Sequence, residues 1–296
     1  MKIWTLLASL IPTLSFAASL TVGTYNIRNF DYDERYRIQT NKSELSKIIN
    51  STQADLIAVQ EINNTTEFTR YVKSTFQGFD AELSECGGAH GQKLGFMFNT
   101  KKLKLLSFNE DLALSGPGNT GTCYGGSRPA AIGLFEIIDT KQRFYAVSVH
   151  LKSGSQNESI EKRLGQFKVI EKIIKSLQSS TGVQDFVIAG DMNTTTYNVR
   201  GVDYKALQNL ASTLGATDLS KSLPCTAYWW GGSDDNIEDP SILDHVLISK
   251  GLVKKTIKTE LGGHCAAVSC KQMAAPSLGM SYSNVSDHCP VSAQIQ

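Results

Sequence analysis

Polar side chains of a particular kind stand at the ends of apolar segments throughout this chain of 296 residues. They are carboxylates, amides and histidines, and the Cys/His spacing of a zinc finger does not accompany them. Hard cations such as Mg²⁺ prefer oxygen ligands, and histidine exchanges protons near neutral pH. The positions are Asn26, Gln60-Glu61, His150, Asp191-Met192-Asn193, Asp244-His245 and Asp287-His288.

Carboxylates and histidines around a hard metal suit the hydrolysis of a phosphodiester. The attacking water must lose a proton, the charge on the phosphoryl oxygens must be neutralised, and the leaving oxygen must be stabilised. The sequence has neither a G-x-S-x-G elbow for acyl transfer nor a G-x-x-x-x-G-K-[ST] loop for a nucleotide. A single Asp or His at a strand end is more often a structural cap, so this interpretation depends on the whole set.

The elements that must position these groups are short apolar runs of strand length. Several runs are continuous rather than alternating, which is typical of strands that are covered on both faces. The predicted strands are Leu20–Ile27, Asp55–Gln60, Leu94–Phe98, Ala131–Ile138, Phe144–Leu151, Asp185–Ala189, Leu243–Ser249 and Val291–Ile295.

Helical periodicity appears between the predicted strands. Leu45, Ile48 and Ile49 share one helix face, with Asn41 or Ser43 as the cap. A longer stripe runs from Ile160 to Leu177, and a third helix is expected over about 204–214. Because no repeat or flexible linker is visible, we predict one domain over residues 18–296.

The first seventeen residues have the pattern of a secretory signal peptide. A short charged start precedes an apolar run, and Ser15-Phe16-Ala17 offers a cleavage site. The rival interpretation is a membrane anchor, for which the run is short. Cleavage near Ala17 would give a secreted or periplasmic protein. It removes Lys2, one of 29 basic residues, and none of the 28 acidic ones, so basic and acidic residues are then equal in number. We therefore expect no general electrostatic attraction between the protein and nucleic acid.

All six cysteines follow the predicted signal peptide, and an even count in an exported protein indicates disulfides. Spacing does not select one connectivity, but Cys86 and Cys123 lie in glycine-rich loops that flank one strand pair, which favours their pairing. His264-Cys265 with Cys270 hints at zinc, and disulfides explain these cysteines better because no second Cys/His pair follows.

The polar segments, taken in order, resemble the endonuclease/exonuclease/phosphatase superfamily, and within it deoxyribonuclease I and related secreted bacterial nucleases. The resemblance runs from about Leu20 to the C-terminus. It implies an α/β fold, a four-layer α/β/β/α sandwich of two mixed β-sheets flanked by helices. The matching segments are Thr24-Tyr25-Asn26-Ile27-Arg28, Gln60-Glu61, Ser127-Arg128-Pro129, Ser148-Val149-His150, Gly190-Asp191-Met192-Asn193, Leu243-Asp244-His245 and Ser286-Asp287-His288.

The resemblance also implies roles for individual residues. The metal ligands would be Glu61, assisted by Asn26 and Asp287, and the ion would be Mg²⁺, with Mn²⁺ as a substitute and Ca²⁺ as a possible structural ion. Catalytic roles near the phosphate fall to His150, Asp191, Asn193, Asp244 and His288, with the general base left open. Arg28 and Arg128 would bind substrate phosphate, since a planar guanidinium grips two oxygens at once.

Two positions depart from the deoxyribonuclease I pattern. A glutamate that orients the histidine matching His150 is replaced by Gln92, with Glu85 as an alternative orienting group. An arginine expected in the minor groove is Asn63, which puts a preference for double-stranded DNA in doubt.

The leading prediction is a secreted metal-dependent endonuclease that acts on DNA, with RNA left open as a second substrate. We expect neither stable membrane association nor a protein partner. The alternatives are a phospholipid phosphodiesterase of the sphingomyelinase type and a non-catalytic binding module. Lipid docking would need exposed aromatic residues, for which Trp229 and Trp230 are the candidates. We expect Tyr228-Trp229-Trp230 to pack against the protein instead.

Overall fold

The computed structural model describes residues 19–116, 123, 125–233, 235–253 and 255–296, apart from the side chain of Ile257. The predicted signal peptide therefore lies outside the described residues. The strands of the described residues are β1 (Leu20–Phe30), β2 (Tyr32–Asp33), β3 (Ile38–Gln39), β4 (Leu56–Ile62), β5 (Phe79–Leu83), β6 (Lys93–Asn99), β7 (Leu103–Asp111), β8 (Ala130–Ile137), β9 (Arg143–His150), β10 (Phe186–Asp191), β11 (Ala216–Asp218), β12 (Ala227–Trp229), β13 (Ile237–Ser241), β14 (Asp244–Ser249), β15 (Thr256–Leu261), β16 (Met273–Ala274) and β17 (Val291–Ile295).

Helices connect these strands, and their boundaries follow from local chemistry. The side chain of Asn41 accepts a hydrogen bond from the backbone N–H of Glu44, which caps the first helix, and Asn64 caps the second helix in the same way. Gly182 ends the third helix in the left-handed conformation that glycine adopts freely. The helices are α1 (Lys42–Thr52), α2 (Thr65–Thr75), α3 (Asn157–Thr181), α4 (Val202–Thr213), α5 (Gly263–Ala267) and α6 (Gly279–Asn284).

Two six-stranded mixed sheets form the body of the molecule. The first sheet has the order β15-β17-β1-β4-β6-β5, and the second has the order β11-β14-β10-β9-β8-β7. At the centre of each sheet two strands run parallel, β1 with β4 and β9 with β10, while their outer neighbours are antiparallel. Parallel neighbours end at the same edge, so the residues that follow them meet there.

Three apolar cores show how the layers stack. The middle core joins the inner faces of the two sheets, with Val22 and Phe96 from the first and Phe135 and Val187 from the second. On the outer face of the first sheet lie α1 and α2, and on the outer face of the second lie α3 and α4. This arrangement confirms the predicted four-layer α/β/β/α sandwich.

The expected strands and helices lie close to the observed ones. Asn41 rather than Ser43 caps α1, and the stripe from Ile160 to Leu177 lies within α3. The helix α2 was not predicted, because only Phe68, Tyr71 and Val72 of its eleven residues are buried. No helix in the described part of the chain is long and apolar enough to cross a membrane.

All six cysteines are paired in the structure. Cys86 binds Cys123, as expected, and the others form Cys225–Cys270 and Cys265–Cys289. Both Cys265 and Cys270 are therefore committed to disulfides, which removes the zinc alternative. The Cys265–Cys289 bridge lies next to His288 in sequence and fastens that loop to α5.

Candidate active site

The predicted polar residues meet at one edge of the sandwich because of strand register. In the first sheet Asn26 of β1 pairs with Gln60 of β4, immediately before Glu61. In the second sheet Asp191 of β10 pairs with His150 of β9 on one side and with Asp244 of β14 on the other. Strand ends from both sheets thus bring residues that are far apart in sequence to one place.

The carboxylate of Asp191 is the centre of this cluster. Its Oδ2 accepts a hydrogen bond from Asn26 Nδ2 at 3.2 Å, and it lies 3.2 Å from His150 Nε2 and 3.7 Å from His288 Nε2. Asn26 Nδ2 also donates to Glu61 Oε1 at 3.0 Å. One oxygen therefore faces both histidines, and an amide links it to the second carboxylate.

His288 is held by contacts behind the cluster. Its Nδ1 lies 2.9 Å from Asp244 Oδ2, and its backbone N–H donates to Ser286 Oγ, which in turn donates to the carbonyl oxygen of Asn26. The hydroxyl of Thr226 accepts from the backbone N–H of Asp244. The last loop is thus fastened to β1, and the imidazole is oriented with Nε2 toward Asp191.

Glu61 is positioned by an unusual backbone. Its φ of 61° lies in the left-handed region, as do those of Arg28, Asn29 and Asn193 at the same edge. Conformations of this kind cost free energy for residues with a side chain and concentrate at functional sites. The turn lets Glu61 Oε2 accept from the backbone N–H of Asn29 while Oε1 faces His150 Nε2 at 3.9 Å.

The two histidines carry different protonation states. Burial lowers the pKa of His150 well below its ordinary value, and the positive charges of Arg128 and His288 lower it further. Burial also lowers the pKa of His288, but the carboxylates of Asp244 and Asp191 raise it well above the ordinary value. Near neutral pH His150 is a neutral imidazole and His288 is an imidazolium.

The buried carboxylates lack sufficient positive charge among the residues of the cluster. Burial raises the pKa of Asp191 from 3.8 to about 7, and burial raises that of Glu61, with Asp287 adding to the rise. Oxygen donors that are expensive to ionise without a cation suit a divalent metal. Glu61 and Asp287 fit this role because both line the cleft and their negative charges interact, whereas Asn26 turns its amide nitrogen, not its oxygen, toward the carboxylates.

Gln92 does not orient His150. It donates from Nε2 to Asn29 Oδ1 at 2.7 Å and accepts from Arg128 through Oε1. The alternative Glu85 is exposed at the surface, and among the described residues His150 Nδ1 has no hydrogen-bond partner. Neither Gln92 nor Glu85 therefore orients His150, and Gln92 fixes Arg128 instead.

The remaining predicted residues line one cleft of about 530 Å³ with the cluster. Arg128 lines the cleft, where its positive charge interacts with the carboxylates of Glu61 and Asp191. Arg28 also lines the cleft, but its terminal nitrogens donate to the carbonyl oxygens of Tyr282 and Ser283. Asn193 donates through its backbone N–H to Asp191 Oδ1, which orients that carboxylate.

The expected packing of Tyr228-Trp229-Trp230 is only partly right. Tyr228 is buried and donates from its hydroxyl to the carbonyl oxygen of Lys271. Trp229 and Trp230 are exposed, because the chain turns outward at the end of β12.

Sequence and structure comparisons agree with this geometry. The model of the Endonuclease/Exonuclease/phosphatase family matches residues 23–288. The chain belongs to the endonuclease/exonuclease/phosphatase family. No sequence among the curated proteins matches it significantly.

Solved structures share the fold of this family member at low sequence identity. A family protein from Bacteroides vulgatus is 18% identical, with a TM-score of 0.65, over 95% of this chain and 99% of that chain. The human Nocturnin catalytic domain with bound sulfate is 14% identical, with a TM-score of 0.63, over 94% of each chain. D. rerio TDP2 in complex with a single-strand DNA product is 15% identical, with a TM-score of 0.62, over 95% and 100%.

A buried arginine that was not predicted from the sequence supports the site. Arg163 of α3 is fully buried and pairs with buried Asp203 at 3.0 Å. Its guanidinium also donates to the carbonyl oxygens of Lys152 and Gly154 and to Thr195 Oγ1. It thereby joins the loop that follows His150 to the loop that follows Asn193. The visible signal was a charged residue within the apolar stripe of α3.

Replacing Arg163 by methionine is expected to lower the free energy of unfolding by about 3–5 kcal/mol, because Asp203 is left buried without its partner. Urea denaturation followed by circular dichroism measures the change. Lys162→Met is the matched control one residue away, since Lys162 is half-exposed and pairs with exposed Glu158. A similar small effect for both variants would contradict the structural role of Arg163.

Replacing Asp191 by asparagine is expected to stabilise the metal-free protein above pH 7. The pKa of Asp191 is about 7 in the folded protein and 3.8 in its ordinary, unfolded environment, so stability falls as pH rises between these values. The gain is at most about 4 kcal/mol, and the loss of a partner for His288 offsets part of it. Thermal unfolding of both proteins in chelator at pH 4 and at pH 8 measures this gain. The difference in stability between Asp191→Asn and the wild type should vanish at pH 4. A wild type that is the more stable protein at pH 8 would refute it.

Proposed function

We propose that this protein is a metal-dependent phosphodiesterase that hydrolyses DNA, with RNA as a second substrate, outside the cytoplasm. The observation that carries the proposal is the position of Asp191 Oδ2, within 3.7 Å of both histidines and linked through Asn26 to Glu61. A base, an acid and a carboxylate pair for a cation thus surround one cleft.

Each residue has a role in this proposal. Asp191 accepts the proton of the attacking water, because its carboxylate lines the cleft beside both histidines. His288, held by Asp244, donates a proton or a hydrogen bond to a phosphate oxygen, and neutral His150 donates a second hydrogen bond. Arg128 neutralises charge on the non-bridging oxygens. A divalent ion held by Glu61 and Asp287 would act as a Lewis acid on the phosphate.

Two observations support nucleic acid as the substrate. A TDP2 structure of the same fold holds a single-strand DNA product, and Arg128 stands in the cleft with its position fixed by Gln92. A mannosyl-6-phosphatase from Bacteroides thetaiotaomicron has the same fold at 16% identity, so a phosphomonoester is the competing substrate class.

Three disulfides support a location in an oxidising compartment, since such bonds persist in secreted and periplasmic proteins. The predicted signal peptide over residues 1–17 is consistent with this location.

A substrate panel tests the proposal. The mature protein would be offered plasmid DNA, RNA, sphingomyelin vesicles and mannose 6-phosphate, each with Mg²⁺ and with a chelator. We expect cleavage of DNA that the chelator abolishes, and no turnover of the lipid or the monoester. Hydrolysis of sphingomyelin or of the monoester without cleavage of nucleic acid would overturn the proposed substrate.

A further inference from the structure

The exposed aromatic side chains of the described residues lie in two loops next to the cleft. Tyr32 and Tyr36 are 43% and 55% exposed in the hairpin of β2 and β3, and Trp229 and Trp230 are 39% and 59% exposed at the end of β12. Tyr36 and Trp229 line the same cleft as His288 and Glu61. Large aromatic surfaces left in water beside a reactive centre indicate a ligand with apolar faces.

Arginines accompany one of these rings. The guanidinium carbons of Arg35 and Arg28 lie 5.1 Å and 5.7 Å from the centre of the Tyr36 ring, which is the range of a cation–π contact. Arg28 is itself fixed by the carbonyl oxygens of Tyr282 and Ser283 and by Asp33 at 3.5 Å. Tyr36 is therefore supported at the cleft and presents apolar surface beside positive charge.

Trp229 is held at the cleft by contacts between its strand, β12, and the loop that carries His288. The backbone N–H of the preceding Tyr228 donates to the carbonyl oxygen of Asp287, and Ala227 forms a β-bridge with His288. Trp229 therefore lies beside the loop that carries Asp287 and His288, and a ligand that contacts its ring lies next to that loop. A flat group attached to the reacting phosphate would reach it.

Nucleobases satisfy this chemistry better than a membrane does. Unpaired bases have free faces that stack on aromatic side chains, whereas the faces in a duplex are already stacked. A membrane-inserting turn would be apolar at its tip, but the segment that follows Trp230 contains Asp234, Asp235, Glu238 and Asp239. Two of the exposed aromatics are also part of the cleft wall rather than of an outward patch.

We propose that Tyr36 and Trp229 form a stacking platform for unpaired bases adjoining the scissile phosphate, so that the preferred substrate is single-stranded nucleic acid. This inference rests on the proposed phosphodiester hydrolysis in the same cleft. It assigns the strandedness of the substrate and the residues that select it.

The test compares the mature wild type with the double variant Tyr36→Ala/Trp229→Ala. The substrates are a fluorescent unpaired oligonucleotide, the same strand in a duplex, and an abasic strand of the same length. The wild type is expected to cleave the unpaired strand with the highest kcat/KM. The double variant should lose about 10- to 100-fold on that strand and little on the abasic one.

Two further variants separate stacking from other effects. Tyr36→Phe/Trp229→Phe keeps the rings and should retain most activity. Val199→Ala/Val202→Ala alters two exposed apolar residues outside the cleft lining and should behave as wild type.

Three results would overturn the inference and leave the proposed function intact. The alanine variant could cleave the unpaired strand as fast as the wild type, or lose as much activity on the abasic strand as on the unpaired one. It could also lose binding to sphingomyelin vesicles while its cleavage of nucleic acid is unchanged. Absence of any nucleic acid cleavage by the wild type would instead reject the proposed function itself.

Discussion

Replacing His288 by alanine is expected to lower kcat by about 10²- to 10⁴-fold while the protein remains folded. The carboxylates of Asp244 and Asp191 raise the pKa of this imidazole against the effect of burial, and its Nδ1 lies on Asp244 with Nε2 3.7 Å from Asp191. Without it the proton or hydrogen bond to the phosphate is lost. Near-ultraviolet circular dichroism would establish that the fold survives, and DNA cleavage in Mg²⁺ would measure the loss.

The chain provides a matched control for this variant. His245 is a second buried histidine next to a carboxylate, with Nδ1 3.5 Å from Asp218 and Nε2 2.8 Å from Thr194 Oγ1, and it does not line the cleft. His245→Asn should reduce stability but leave kcat near the wild-type value where the protein is folded. Wild-type rates in His288→Ala, or equal losses in both variants, would refute the assigned role.

Replacing Glu61 by glutamine is expected to reduce Mg²⁺-dependent cleavage by about 10³-fold, which corresponds to the several kcal/mol that a Lewis-acid metal supplies. Glutamine keeps the shape of the side chain, but its single amide oxygen can accept from Asn26 or from the backbone of Asn29, not from both. The change therefore removes the negative charge and one of these two hydrogen bonds. Cleavage rates over a range of Mg²⁺ concentrations would show a higher requirement for the ion.

Chelation makes this prediction specific to the metal. In the presence of a chelator, the wild type and Glu61→Gln should be equally slow, because the carboxylate then has no ion to hold. Glu67→Gln removes a carboxylate of α2 that pairs with Lys42 and Arg70, and it should leave the rate unchanged. A Glu61→Gln variant as active as the wild type at all Mg²⁺ concentrations would exclude Glu61 as a metal ligand.

The central strands and the polar cluster at their ends were predictable because the signals were local and strong. Continuous apolar runs such as Phe186–Ala189 are typical of strands covered on both faces, and polar residues at parallel strand ends must meet. The edge strand β7 (Leu103–Asp111) was missed because its residues after Leu103 are only half-buried or exposed and form no continuous buried run. The helix α2 was missed because few of its residues reach the core.

Details of the site escaped prediction because tertiary contacts decide them. The sequence places Gln92 where a partner of His150 is expected, yet its amide bonds Asn29 and Arg128. Arg28 was expected to bind phosphate through a guanidinium whose terminal nitrogens here donate to two backbone carbonyls. Trp229 and Trp230 are exposed because β12 ends beside the cleft, which no local pattern indicates.

The central claim is that one divalent ion binds among these strand-end carboxylates. Titration of the metal-free protein with Mn²⁺, followed by electron paramagnetic resonance, measures this binding directly. We expect one bound ion per chain, displaced by Mg²⁺, weakened in Glu61→Gln and retained in His288→Ala. Equal Mn²⁺ binding by wild type and Glu61→Gln, or no stoichiometric binding at all, would contradict it.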